Sequence, residues 1–245
     1  MVRLSVNVNK VATVRNSRGG RVPSVVDAAR ACVRAGAAGI TVHPREDERH
    51  IRPSDVREIA EAFEKEWGPA LEYNIEGDPR PGWLELVSRT RPSQATLVPV
   101  AAGEVTSNAG WVPGKDDAVV RPAVARLRGE GIRVSLFVDP VPEAIAWAKT
   151  AGADRVELYT EPFARAFERG DLVAKESFDR YREAASLAHS LGLGINAGHD
   201  LDLENLVLFR QLPHLDEVSI GHAIVSRAIF VGLEHVVAEY LALLK

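Results

Sequence analysis

Short apolar runs alternate with longer amphipathic stretches along the whole chain. Strand-like runs fall at 4–8, 39–42, 70–74, 95–98, 133–138, 155–158, 194–196 and 217–220. Between them the spacing predicts helices at about 24–35, 54–66, 82–89, 117–129, 142–151, 175–191, 203–211 and 222–245, the last broken near Gly232. Ser24 is a good first cap and Gly36 a good stop. Segments 9–23 and 99–116 read as polar loops, and 160–171 as irregular or partly helical. No linker or composition shift divides residues 1–245. Repeated strand–helix units of this number and length predict one (β/α)8 barrel, typically ~250 residues. A doubly wound open sheet is the alternative. It ranks lower because no strand is followed by the Gly-rich dinucleotide fingerprint. Small-residue phrases at 34–37, 130–131, 150–153 and 191–194 end helices and lead into strands, so they belong to the barrel's lower face and to stability.

A barrel places its chemistry at the carboxyl ends of the strands. Unusual polar residues do fall there. Asn7 and Asn9 follow the first strand, His43 the second, Asp139 the fifth, Asn196 and His199 the seventh, and Gly221 and His222 the eighth. Segment 39–51 is the sharpest case: an apolar strand breaks at Pro44 into Arg45, Arg49 and His50. Pro44 cannot donate to a ladder, so it ends the strand and lifts the cations onto a rim. Glu72 lies between Leu71 and Tyr73, and Glu157 between Val156 and Leu158. A carboxylate turned into a barrel costs several kcal/mol unless paired, so each is either a structural ion pair or a proton carrier with a raised pKa. Gly221-His222-Ala223 opens the final helix, where backbone N–H groups and the helix dipole suit a phosphate. His189, His214 and His235 read as surface residues. A metal site ranks below metal-free catalysis, because the first strand ends in Asn7-Val8-Asn9 rather than His-x-His.

Composition narrows the partners. The net charge is −4 and the pI about 6.0, which argues against a general nucleic-acid binder. Small anionic substrates remain open, since a few local cations suffice for them. The single cysteine, Cys32, falls within a predicted helix and is expected in the core. No apolar run approaches the ~20 residues needed to span a bilayer. Strand-like sequence begins near the first residue, which favours a cytoplasmic protein without a signal peptide.

Five separate phrases, in order, resemble the pyridoxine 5′-phosphate synthase family: Val6 to Gly19, Gly39 to Ile51, Val134 to Phe137, Asn196 to His199 and Ile220 to Ala223. The resemblance runs from about Leu4 to the C-terminus. It implies condensation of 1-deoxyxylulose 5-phosphate with 3-amino-2-oxopropyl phosphate, closure of a pyridine ring, and release of inorganic phosphate and water. It implies no metal and no organic cofactor. It also implies His43 and Glu72 as acid–base groups, Glu157 as a stabiliser of charged intermediates, and His199 as a proton donor. Asn7, Arg18, Gly221 and His222 match positions that hold the aminoketone phosphate. Arg45, His50 and Thr106 match positions that hold the sugar phosphate, beneath a lid at 99–113. Homo-oligomers are implied too, dimer-based and up to an octamer, with the apolar C-terminal segment packing on the barrel or on a neighbour.

The chain departs from the family at several of these places. Asn9-Lys10 stands where the family usually has Asp-His, Pro44 where it has Leu, and Asp200 where it has Gly. The lid begins Pro99-Val-Ala-Ala-Gly103 rather than with a charged phrase. Asn9, Lys10 and Asp200 are therefore expected at the substrate contacts. Lys10 is expected as a cation for a hydroxyl or phosphate, or as an amine lowered in pKa by neighbouring cations. Three classes stay open on the sequence: the synthase itself, a relative condensing a different aminoketone and sugar phosphate, and a non-catalytic sugar-phosphate binder.

Overall fold

The computed structural model describes residues 1–100 and 108–245. Eight parallel strands close into a barrel in chain order: β1 (Arg3–Asn7), β2 (Gly39–Val42), β3 (Glu72–Gly77), β4 (Gln94–Leu97), β5 (Arg133–Val138), β6 (Arg155–Tyr159), β7 (Gly194–Gly198) and β8 (Leu215–Ile220). β1 pairs with β8, Leu4 opposite Val218, and closes the ring. The helices are α1 (Asn9–Asn16), α2 (Val25–Arg34), α3 (Pro53–Ala62, continued by a wider turn, Phe63–Trp67), α4 (Pro81–Thr90), α5 (Asp117–Gly129), α6 (Pro142–Thr150), α7 (Glu161–Glu168), α8 (Asp171–Ser190), α9 (Leu206–Phe209), α10 (His222–Val231) and α11 (Leu233–Leu243). The expected (β/α)8 barrel is the observed fold.

The apolar core lies between strands and helices. Alternate strand residues point outward to it: Leu4 and Val6, Ile40 and Val42, Tyr73 and Ile75, Val134 and Leu136, Val156 and Leu158 are buried against the helix ring. Cys32 is fully buried there, as expected. Phe163, Phe178, Tyr181 and Phe209 form an aromatic cluster joining α7, α8 and α9. Ser24 caps α2 by accepting from Asp27 N, and Gly36, at φ +103°, ends it in a backbone region that a side chain would strain.

The barrel interior is polar. Ser5 and Thr41 share a 2.7 Å hydroxyl contact, Asn74 donates to Thr41, and Thr96 donates to Asn74. Below this tier, at the amino ends of the strands, Arg3, Glu72, Arg133 and Glu217 form an ionic floor. Arg133 also bonds Gln94, and Arg155 bonds Asn196. These pairs join strands across the interior and offset the cost of burying so many polar groups.

Two stretches differ from the sequence expectation. Residues 9–23 are not all loop, because α1 occupies the first half. Its inward stripe is Val11, Ala12 and Arg15, and the buried arginine disguises the helical period as a polar run. Segment 160–171 holds a regular helix, α7, with Phe163, Ala164 and Ala166 buried. The C-terminal α11 packs on α2, and Leu241 reaches to 3.2 Å of where a Gly36 Cβ would stand.

Gly77 ends β3 because nothing larger fits. A Cβ there would stand 2.2 Å from Nε1 of Trp83, a fully buried indole that donates to the Glu76 carbonyl at 2.9 Å. Gly77→Ala is expected to cost about 1–3 kcal/mol by overpacking, visible as a lower midpoint in thermal unfolding. An unchanged midpoint would mean that Trp83 is free to move.

Candidate active site

The strand ends and their loops enclose a cavity of about 440 Å³ at the carboxyl face. Asn7, Asn9, Lys10, His43, Arg45, His50, His199, Asp200, Gly221 and His222, all expected from the sequence, line it. Thr13, Arg49, Glu76 and Ser219 line it as well. Lys10, Arg45 and Arg49 give it a cationic wall around His50.

Local bonds set the wall. Asn9 does not reach out to solvent: its Oδ1 accepts from His43 N at 2.9 Å, while its own N–H donates to Asn7 Oδ1 at 3.0 Å. It therefore fixes the end of β2 against β1. Arg15, buried on α1, forms an ion pair with Asp55 of α3 and donates to the His50 carbonyl at 3.1 Å. Asn16 donates to the same carbonyl at 2.8 Å. The loop bearing Arg45 and His50 is thus pinned from α1. His50 Nδ1 accepts from Ile51 N at 2.9 Å, so in the neutral ring the proton sits on Nε2.

The floor carries carboxyls and imidazoles. Glu157 Oε1 lies 3.9 Å from His199 Nδ1, and its Oε2 is buried without a hydrogen-bond partner among the described residues. His199 holds φ at +89°, an uncommon conformation outside glycine, and leans on Phe137 at 4.7 Å. Burial drives the imidazoles toward the neutral form, His43 and His50 to about 3 and His199 to about 4, with the Arg45 charge adding to each. Burial raises Glu157 well above the carboxylate range, and the neighbouring Glu76 adds to it. Burial therefore favours neutral imidazoles and the protonated form of Glu157. A carboxyl in such a place can give up a proton and later take one back.

Three expected residues do not line the cavity: Glu72, Arg18 and Glu157, the last of which stands beside His199. Glu72 opens β3 at the opposite, lower end of the barrel, where Arg3 at 2.8 Å and Arg133 hold it. Those arginines keep it ionised, below the usual carboxylate range, against the pull of its burial. The sequence expectation of an acid–base group at Glu72 is corrected in place: it is part of the ionic floor. Arg18 is exposed on the turn after α1, outside the cavity lining. Thr106 and the rest of 101–107, within the lid expected at 99–113, lie outside the described residues. Asp200 is exposed at the rim, between the main cavity and a second one of about 490 Å³ that Glu161, Arg165 and His222 also line. His189 and His214 stack at 3.6 Å and line a pocket beside Arg3 at the lower face, away from the site.

Glu76 and Ser219 were missed. Glu76 was hidden because the expected third strand stopped at 74; its alternation of inward Glu72, Asn74 and Glu76 with outward Tyr73 and Ile75 was the available signal. Ser219 alternates in the same way between Val218 and Ile220.

Gly221 caps α10 with its Cα against Asn7: a Cβ would stand 2.7 Å from the Asn7 carbonyl oxygen. Gly221 and His222, at the start of α10, line the cavity, and such a helix start is a suitable seat for a phosphate. Among the described residues no cluster of three or more His, Cys, Asp or Glu is arranged to hold a metal ion, and no helix is long and apolar enough to cross a membrane.

A parallel barrel whose mouth joins a cationic wall and a helix start to buried carboxyls and neutral imidazoles defines a barrel enzyme acting on small phosphorylated substrates. Residues 4–245 match the family described as pyridoxal phosphate biosynthesis protein PdxJ. The chain is 50% identical over 246 residues to pyridoxine 5′-phosphate synthase of Christiangramia forsetii, covering 100% of each. It is 50% identical over 241 residues to that of Porphyromonas gingivalis, covering 98% of each. It is 48% identical over 254 residues to that of Leptospira biflexa, covering 100% of this chain and 97% of the relative. Among solved structures, phosphoribosyl anthranilate isomerase of Thermus thermophilus superposes with a TM-score of 0.60 at 18% identity, over 99% of this chain and 98% of that one. Thiamine phosphate pyrophosphorylase of Pyrococcus furiosus gives 0.63 at 12%, over 99% and 95%. Both show the fold alone. The chain belongs to the pyridoxine 5′-phosphate synthase family.

Proposed function

We propose that the protein condenses 1-deoxyxylulose 5-phosphate with 3-amino-2-oxopropyl phosphate and closes the pyridine ring of pyridoxine 5′-phosphate, releasing inorganic phosphate and water. The observation that carries this reading is the gathering of His43, His199, Lys10, Arg45 and the start of α10 around one cavity, with Glu157 3.9 Å from His199, in a chain that matches the family over residues 4–245. Imine formation, dehydration and aldol closure each move a proton, and groups of differing pKa in one cavity can do so. His43 exchanges protons with the substrate, His199 donates one, and Glu157 balances cationic intermediates. Asn7, Gly221 and His222 hold the aminoketone phosphate. Arg45 and His50, with Lys10 as an added cation, hold the sugar phosphate. Asn9 serves by holding the His43 backbone rather than by touching substrate, which explains how an amide replaces the family's usual carboxylate there. A cytoplasmic location belongs to the same proposal.

The departures at Lys10, Pro44 and Asp200 leave the cavity lined and its imidazoles in place, which favours the family's own substrate pair over a diverged one. Complementation decides: a bacterium lacking the synthase and grown without vitamin B6 should grow when it expresses this chain. Failure to grow with abundant soluble protein would instead support a different substrate pair.

The same reading includes a homo-oligomer of at least a dimer. It is supported by α10, which presents Ile229 and Phe230 at 72% and 86% exposure, a large apolar area to leave in water. Light scattering is expected to give a multiple of the 26.6 kDa chain mass. A monomer at micromolar concentration would refute it.

A further inference from the structure

Among the described residues, two hydroxyl groups line the cavity, those of Thr13 and Ser219. The Thr13 hydroxyl is committed, since it donates to the Asn9 carbonyl at 3.2 Å. Ser219 is different. The residue is 6% exposed, and its Oγ is buried without a hydrogen-bond partner among the described residues. Deeper inward hydroxyls are paired off, Ser5 with Thr41 and Thr96 with Asn74. Ser135 shares the lack of a partner but does not line the cavity. An unpaired buried hydroxyl destabilises a fold, and alanine would fill the same place without that cost.

Neighbouring strands fix where this hydroxyl stands. Ser219 pairs with Ser5 of β1 and with Gly198 of β7. Gly198 has no side chain, so the inner face between Ser219 and Glu157 is open: a Cβ on Gly198 would stand 3.4 Å from the Ser219 Cβ and 2.8 Å from Glu157 Oε1. Gly221, which starts α10, lies two residues on, about 6.6 Å along an extended chain. Ser219 is therefore one inward position below the helix start that suits a phosphate, and next to the carboxyl that suits a cation.

We infer, on the ring-closing function proposed above, that Ser219 is a further catalytic residue: its hydroxyl donates to the carbonyl oxygen of the aminoketone phosphate and holds that oxygen as charge develops on it during ring closure.

The substrate's own length sets the match. Only a methylene and an ester oxygen separate its phosphorus from the carbonyl carbon. With the phosphate on the start of α10, the carbonyl comes to the level of the next inward residue, Ser219, and the amino group continues toward Glu157. In closure, the carbon–carbon double bond of the sugar-derived enol supplies the pair for the new bond to the carbonyl carbon. The carbonyl π pair moves onto oxygen. The enol proton passes to that oxygen through the acid–base groups of the cavity, so no atom is gained or lost. Ser219 keeps its own proton throughout. A donor already aimed where charge appears needs no reorganisation at the moment of reaction.

Ser219→Ala removes only an unpaired hydroxyl, so its thermal midpoint should equal or exceed that of the wild type. Its kcat should fall about 100-fold, the low end for loss of one such donor, with KM for the sugar phosphate changed little. Ser219→Cys, similar in shape but a weak donor, should fall between the two. The contact is also read without turnover, by infrared difference spectra of 3-amino-2-oxopropyl phosphate labelled isotopically at the carbonyl carbon and bound to the enzyme alone. The carbonyl stretch should lie at lower wavenumber in the wild type than in Ser219→Ala. A stretch that is the same in both, or a Ser219→Ala enzyme with kcat within a few-fold of wild type, would overturn the inference. A lost rate with a lowered midpoint and an unchanged stretch would make Ser219 structural and overturn it too. A wild type whose Ser219 lowers the stretch, yet which forms no pyridine from this substrate pair, would support the contact and count against the proposed function instead.

Discussion

A single methyl group added at Gly198 is expected to abolish most of the turnover. A Cβ there would stand 2.8 Å from Glu157 Oε1 and 2.8 Å from the Ser219 carbonyl oxygen. The second contact is backbone from the paired strand β8, so it cannot swing aside. The first can, and the Glu157 carboxyl will be displaced from His199, the residue that follows Gly198 in the chain. Displacement of reacting groups by about 1 Å costs on the order of 100-fold in rate, and two groups are displaced here. Gly198→Ala should therefore lose at least two orders of magnitude in kcat, with a stability loss of about 1–3 kcal/mol from overpacking. Steady-state kinetics and thermal unfolding on the same preparation check both. A stable variant with full activity would mean that Glu157 and His199 need not sit where they do.

Glu157→Gln should be nearly as damaging, for a different reason. The carboxamide has the shape of the protonated acid that burial favours, so folding and substrate affinity should survive. What it cannot do is ionise. When an iminium cation forms above it, the acid loses its proton and becomes the counter-charge, stabilising the intermediate where it develops. Removing one such group typically costs about 100- to 1,000-fold in kcat, and KM should change little. Rapid-quench single-turnover measurement would show the loss in the chemical steps. Wild-type turnover would reduce Glu157 to a neutral hydrogen-bonding spacer.

These two predictions also show where reading the sequence succeeded. Glu157 and His199 were legible because each sits against short apolar strands whose ends are marked by glycine or polar residues. His43 was legible for the same reason, since Gly39–Val42 is unbroken and Pro44 stops it. The barrel followed from the regular return of such runs. Glu72 and Glu76 show the limit. Both are inward residues of β3, and the apolar residues there alternate with polar ones because the barrel interior is itself polar. A strand that is polar on its inner face loses its far boundary, and with it the residue at the carboxyl end. The ion pairs that hold Glu72 come from Arg3 and Arg133, 69 and 61 residues away, and no local spacing announces them. The same holds for Arg15, whose partner Asp55 is 40 residues distant, so α1 was read as a loop. Asn9 was legible as a site position but not in its role, because its acceptor bond to His43 exists only once β1 and β2 are side by side.

The central claim is that this cavity joins an aminoketone phosphate to a deoxyketose phosphate and closes a ring. Purified protein mixed with 1-deoxyxylulose 5-phosphate and 3-amino-2-oxopropyl phosphate tests it most directly, with inorganic phosphate and the pyridine product followed together. The expected result is pyridoxine 5′-phosphate, identified by mass and ultraviolet absorption, formed with one phosphate released per ring. Phosphate release without a pyridine, or no turnover from folded protein, would contradict it.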